Sequence, residues 1–162
     1  MATETLQDLY VEELKDAYSA EQQILKALPK LQEAATDQGL QSAFRNHVDA
    51  TEEHVRRIER IMDKLDERPT GKKCKGIEGI IAEGEEILKK TNGIALDAAL
   101  ISAAQRVEHY EIAMYGALRT YAHQLGRPED AELLQQTLDE EGDADKELTM
   151  IAESRVNRGA LA

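Results

Sequence analysis

Residues 107–118 read VEHYEIAMYGAL, and at about 100° per residue they wind onto one helix face that is apolar except for its acids. Val107, Met114, Tyr115 and Leu118 form the stripe, Glu111 falls almost at its centre, and Glu108, three residues earlier, lies nearer the edge. The stripe continues through Ala98, Ile101, Ala104, Ala122 and Leu125. It is punctuated by Asn92-Gly93 before it and Gly126-Arg127-Pro128 after it, which predicts a long helix over 94–125.

Three further segments carry the same period. The first runs over 5–38 through Leu6, Tyr10, Ala17, Ile24, Leu28, Leu31 and Ala35, with Thr5 and Asp8 as a start signal, Gly39 as a C-cap, and a kink expected near Leu25 because Pro29 lies inside. The second runs over 40–67 through Phe44, Val48, Val55, Ile58, Met62 and Leu65, ending before Pro69-Thr70-Gly71. The last runs over 128–157 through Leu134, Leu138, Leu148, Ile151 and Ala152. Between the second and third long helices, Ile77, Ile80, Ile81, Ile87 and Leu88 mark a short helix over 76–90. Short loops within each pair imply antiparallel neighbours, and the longer central connection suits a single long crossover. The expectation is all-α: a ferritin-like antiparallel four-helix bundle with a short extra helix in the crossover, one domain spanning 1–162.

Composition agrees. Of 162 residues, 41% are hydrophobic and there is no Trp, one Phe and three Pro, so straight-chain helix formers dominate. Acidic residues outnumber basic ones by 32 to 20, and a net charge of −12 repels nucleic acid and anionic membranes while favouring cations. MATETLQDLY has neither a basic nor an apolar leader region and no run is long enough to span a bilayer, so a soluble cytoplasmic protein is expected. The lone Cys74 cannot build a disulfide or a thiolate metal site within the chain. Three neighbouring lysines could lower its pKa, but an ordinary loop thiol is the simpler reading.

The polar residues inside the stripes carry the chemistry. Glu21 lies near the centre of helix one, with Glu13 nearer its end. His47, Thr51 and His54 stand at i, i+4 and i+7 on helix two. Glu108 and Glu111 form an E-x-x-E pair on helix three, and Glu141 and Asp145 share the inner face of helix four, with Glu140 further outward. Several ionised carboxylates converging on one core need protons, Arg or Lys partners, or a bound cation. Arg56, Arg57, Arg106, Arg119 and Lys146 fall mostly outward, which favours a metal. Carboxylates with one or two imidazoles suit iron, manganese or zinc.

The stretches DLYVEELKDAYSAEQQILKALPKL, DAALISAAQRVEHYEIAMYGAL and LLQQTLDEEGDADKEL resemble the YciF/YciE-type bacterial stress proteins, ferritin-like relatives of the rubrerythrins. The resemblance covers nearly the whole chain, with VEHYEIAMYG its most specific part. It implies a bundle with a di-metal centre, a homodimer and a role in stress responses. Residue by residue it places inward acids at Glu21, at Glu108 and Glu111, and at Glu140 or Glu141, and it matches His47 and Thr51. The chain departs at Asp49-Ala50-Thr51, where the family usually carries an acidic pair, and His54 is the candidate replacement ligand.

The expected metal set is therefore Glu21, His47, His54, Glu108, Glu111, Glu141 and Asp145, holding two ions, iron first. Two function classes follow. One is a non-haem di-iron oxidoreductase, peroxidase-, catalase- or ferroxidase-like, acting on peroxide or dioxygen. The other is a non-catalytic structural or interaction protein of the stress response, in which metal only stabilises the bundle.

Overall fold

The computed structural model describes residues 2–162. Five main helices account for most of it: α1 (Leu6–Ala34), α2 (Gln38–Lys64), α3 (Lys75–Lys90), α4 (Leu96–Gln124) and α5 (Pro128–Ile151). A π-helical stretch, Ala152–Val156, and one last turn, Asn157–Gly159, prolong α5, and no strand occurs among the described residues. No helix of the described residues is long and apolar enough to cross a membrane.

α1 opens on a capping box. Thr5 Oγ1 accepts from the Asp8 amide at 3.1 Å and Asp8 Oδ2 accepts from the Thr5 amide at 3.0 Å, which satisfies two amides the helix itself leaves free and contributes about 1 kcal/mol. The helix continues through the exposed Pro29 and stops at Ala34, earlier than the sequence predicts, because Ala35 is extended and Asp37 already caps α2 through the Leu40 amide at 2.9 Å. Gly39 is thus no C-cap. It lies in the first turn of α2, where a Cβ would run into the Arg155 guanidinium that pairs with Asp37. α2 likewise ends at Lys64, short of the expected boundary, and α5 takes Pro128 at its first position, where the missing amide costs nothing.

The α1–α2 corner is tied down from another helix. Asp97, in the first turn of α4 and 8% exposed, accepts from the Thr36 amide (2.8 Å), the Thr36 hydroxyl (2.7 Å) and the Asp37 amide (2.8 Å). Three charge-assisted hydrogen bonds hold a corner whose amides would otherwise lie unpaired.

Two apolar clusters define the helix directions. One gathers Ile24, Leu28, Phe44, Leu100 and Leu148; the other gathers Tyr10, Leu14, Ile58, Met62, Leu118 and Leu134. The start of α1 therefore meets the end of α2, the end of α4 and the start of α5. α2 and α4 run the same way, so the chain must travel the length of the bundle between them, and α3 makes that crossover while packing on α1 and α4. Cys74 starts α3. It is fully buried, accepts from the Ile77 amide at 3.5 Å and lies 3.3 Å from the Tyr110 hydroxyl, and burial pushes its thiol up. It is no exposed loop thiol, and the neighbouring lysines do not activate it.

Candidate metal centre

Each of the four long helices changes from apolar to polar and back at the same level, between the two clusters. α1 contributes Glu21, α2 His47, Thr51 and His54, α4 Glu108 and Glu111, and α5 Glu141. Glu21, Thr51, His54, Glu111 and Glu141 are 0% exposed, Glu108 3% and His47 8%. Thr51 resolves its own hydroxyl by donating to the His47 carbonyl at 2.7 Å.

The remaining six form two overlapping groups. Glu21, His54, Glu111 and Glu141 each offer one atom so that all four lie within 4.8 Å of one another, and so do His47, Glu108, Glu111 and Glu141. Glu111 and Glu141 belong to both. His54 Nδ1 lies 2.9 Å from Glu141 and 3.3 Å from Glu21, while His47 Nε2 lies 3.1 Å from Glu108 and 3.6 Å from Glu141. These are ligand-to-ligand spacings without hydrogen-bond angles. Glu21 Oε2, Glu108 Oε2, both oxygens of Glu111, both oxygens of Glu141, His47 Nε2 and His54 Nδ1 are buried and have no hydrogen-bond partner.

The surroundings aim these atoms. The Tyr115 hydroxyl donates to Glu21 Oε1. His54 Nε2 is 2.8 Å from Glu140, which two hydrogen bonds from Arg57 (2.7 and 2.9 Å) hold in place, and Arg57 also donates to Thr137 at 3.0 Å. A carboxylate on Nε2 fixes that nitrogen as the N–H and turns the Nδ1 lone pair inward, as in carboxylate–histidine–metal arrangements. The Arg57 guanidinium, with His54 beside it, holds Glu140 down to about 2.

With no cation present the electrostatics are adverse. Burial, together with the charges of Glu141 and Glu21, pushes Glu108 and Glu111 well above the usual carboxylate range. Burial opposes charge on His54, yet its hydrogen bond to Glu140 and the close carboxylates of Glu141 and Glu21 raise it to about 11. Burial also opposes charge on Glu141, but the adjacent Glu108, His54 and His47 outweigh it and lower its pKa. Two divalent ions would bring four positive charges against the four carboxylates without any proton, and the orphaned atoms of both groups are of the kind that ligate such ions. The donor set, four carboxylates and two imidazoles, equals that of ferritin-like di-metal sites, which take a Glu from each of two helices and an E-x-x-H pair from each of the others. Only the distribution differs: α2 supplies both histidines and α4 both paired acids.

Six of the seven residues singled out in the sequence converge here. Asp145 does not join them. It lies one turn further along α5, where its Oδ2 is 3.1 Å from His109 Nε2 on the bundle surface. Glu140 backs His54 from outside, leaving Glu141 as the inward acid of LDEEGD. Arg57 corrects the expectation of an outward residue. It is 8% exposed, yet it neutralises Glu140 and none of the converging acids. Its signal in the sequence was its place one turn beyond His54.

A bundle with a full-length crossover and a carboxylate–imidazole layer at mid-height is a ferritin-like bundle. The chain belongs to the family described as a domain of unknown function (DUF892), whose model matches residues 5–161. It is 41% identical to Protein YciF of Escherichia coli K12 over 162 residues, 99% of this chain and 98% of that protein. The crystal structure of the E. coli stress protein YciF matches with a TM-score of 0.91 and 41% identity, covering 96% of this chain and 99% of that one. YcfI of Rhodopseudomonas palustris, proposed to be a structural protein, matches at 0.90 with 39% identity over 93% and 96%. A Xanthomonas campestris protein, 20% identical with a TM-score of 0.78 over 96% of each chain, shares the fold. The kinship read from VEHYEIAMYG and its companion stretches is that of the YciF proteins.

Proposed function

We propose that this bundle houses a di-metal centre, iron first and manganese or zinc as alternatives, that reacts with peroxide or dioxygen as part of a cytoplasmic stress response. One observation carries the reading. Glu111 and Glu141, each with both oxygens buried and unpaired, are shared between two donor groups that each have their own histidine. Shared carboxylates with one histidine to a side are the arrangement for two ions held close together.

The two donor groups would hold a metal pair that, when ferrous, would supply two electrons at once, enough with two protons to convert hydrogen peroxide into two waters. The chain's own residues do the rest. Glu21, Glu108, Glu111 and Glu141 balance the charge, His47 and His54 fix the geometry, Glu140 and Arg57 hold the His54 tautomer, and Tyr115 orients Glu21 with its hydroxyl proton. The apolar clusters on either side exclude water and strengthen every charge interaction in the layer.

The test is anaerobic ferrous titration followed by stopped-flow mixing with peroxide. The expected end point is two ions per chain, with oxidation far faster than that of free ferrous ion; absence of any acceleration overturns the catalytic reading. YcfI's description supports a second reading, a structural bundle. Metal that raises the melting midpoint while the loaded protein stays inert to both oxidants selects that one.

A further inference from the structure

A cavity of about 330 Å³ enters the bundle beside the metal layer and ends on His47 and Glu108. All five helices line it. Its rim residues are exposed on two sides: Lys30 and Glu85 on α1 and α3, and Asn46, Asp143 and Glu147 on α2 and α5. Between them the walls are apolar, with Ile24, Leu28, Phe44, Ile80, Val107 and Leu148. Small residues make up much of the lining, namely Ala27, Ala43, Ala104 and Ala144, with Gly84 packed closely on Ala103. Any one of them enlarged to Leu would fill part of it, and close-packed interiors do not leave gaps of this size by default.

The chemistry of the lining selects an occupant. At about 30 Å³ for each non-hydrogen atom, the share of a water molecule in the liquid, the cavity holds roughly ten such atoms. Hydrogen peroxide needs no such room, and walls of aliphatic and aromatic carbon give water few partners. The lining reaches the donor layer at His47 and Glu108, 8% and 3% exposed, which belong to one of the two donor groups. Lys30 is the one cation among the lining residues. Its side chain is 73% exposed and lies 3.8 Å from Glu85, whereas Glu108, Glu140, Asp143 and Glu147 are acids. A carboxylate or phosphate head group would meet repulsion and no free cation, and a cationic one would have to cross an apolar wall. The fitting molecule is neutral, with an apolar body of about ten atoms and a polar end.

We infer that the cavity seats the hydrocarbon part of a neutral organic hydroperoxide and presents its O–O group at the His47 and Glu108 edge of the metal layer. This rests on the peroxide reading above and names its substrate class. The balance is the same: the O–O bond breaks, two electrons from a ferrous pair and two protons are taken up, and the alcohol and one water leave. A low-potential electron-transfer protein returns the two electrons between turnovers. Ala104 and Ala144 are specificity-determining positions for the hydrocarbon part and belong to neither donor group.

The first experiment needs no metal. The metal-free full chain is titrated with the small neutral fluorophore 1-naphthol, then with cumyl alcohol or the anion cumate as competitor. Binding is expected, displaced by the alcohol and not by the anion, and weakened about tenfold or more in Ala104→Leu and in the half-buried Ala144→Leu, the scale of discrimination that a methylene or two gives in an apolar pocket. Circular-dichroism melts confirm that each variant folds, and Ala144→Leu serves if Ala104→Leu does not. The second experiment compares single-turnover oxidation of the ferrous protein by cumene hydroperoxide and by hydrogen peroxide. The ratio of the two rates is expected to favour the organic peroxide and to fall about tenfold in the filled variants. No probe binding, binding indifferent to both substitutions, or displacement by cumate as readily as by the alcohol overturns the cavity assignment and leaves the di-metal reading standing. Binding as expected with ferrous protein inert to every peroxide overturns the substrate class together with the peroxide chemistry.

Discussion

Glu140 stands 2.8 Å from Nε2 of His54, so the imidazole faces the metal layer with its other nitrogen, Nδ1. A residue outside the donor set thereby decides which atom a donor presents. Glu140→Gln, which keeps the shape but weakens the acceptor and leaves Arg57 only its longer pair with Glu53, is expected to lower metal affinity roughly 10- to 100-fold without removing a ligand. Calorimetric titration with a divalent ion would read the change, and an unaltered affinity would show that His54 is no ligand.

The overlap of the two groups predicts an uneven loss of metal. His54→Ala and His47→Ala should each lower the metal count by one ion per chain, whereas Glu111→Gln, at a position shared by both groups, should lower it by two. Metal analysis of protein purified without chelator checks this. In the metal-free state Glu111→Gln should melt no lower than the parent, because it removes a buried acid that only a cation would satisfy.

Proton release should accompany loading. The metal-free chain retains protons on Glu108 and Glu111, whose pKa values are raised, and on His54, raised to about 11. Groups raised on folding stabilise the metal-free fold below their unfolded pKa, and that contribution disappears as pH rises through the folded value. Glu140, lowered to about 2, acts in the opposite sense: its contribution is present above about 4.5 and is lost as pH falls toward 2. Metal replaces the protons on Glu108, Glu111 and His54, so affinity should climb with pH. Titration in buffers of differing ionisation enthalpy should show protons released, and a pH-independent affinity would contradict the arrangement.

Asp97 offers a stability test remote from the metal. Asp97→Ala strands two amides and a hydroxyl at the α1–α2 corner, and the expected cost is about 2–4 kcal/mol in urea unfolding. The metal count of the folded variant should not change.

Much of this was legible in the sequence because helices write their burial at a fixed period. The stripes located every long helix, and Thr5 with Asp8 marked a start that the capping box bears out. The polar layer was legible for the same reason: a Glu at the centre of an apolar stripe is a contradiction that periodicity alone exposes, as at Glu21, Glu111 and Glu141. What remained hidden depends on contacts between helices. Gly39 resembles a C-cap until Arg155 is seen occupying the space of its missing Cβ. Arg57 and Asp145 lie near stripe edges, where a few degrees of rotation and the choice of neighbour, Glu140 or His109, decide whether a side chain turns in or out. Cys74 gave no periodic signal, and only the docking of α3 onto Tyr110 buries it.

The polar layer lies between two oily blocks, with the partly buried Met114 packing against both, so the bundle is two hydrophobic halves joined across a layer that gains little from apolar burial. Cations bound there would act as rivets that turn a stack of two units into one. Calorimetric and van't Hoff enthalpies of unfolding should agree when metal is bound and diverge when it is stripped. Ion availability in the cell would then set how firmly the halves are joined, as well as what the layer can react with.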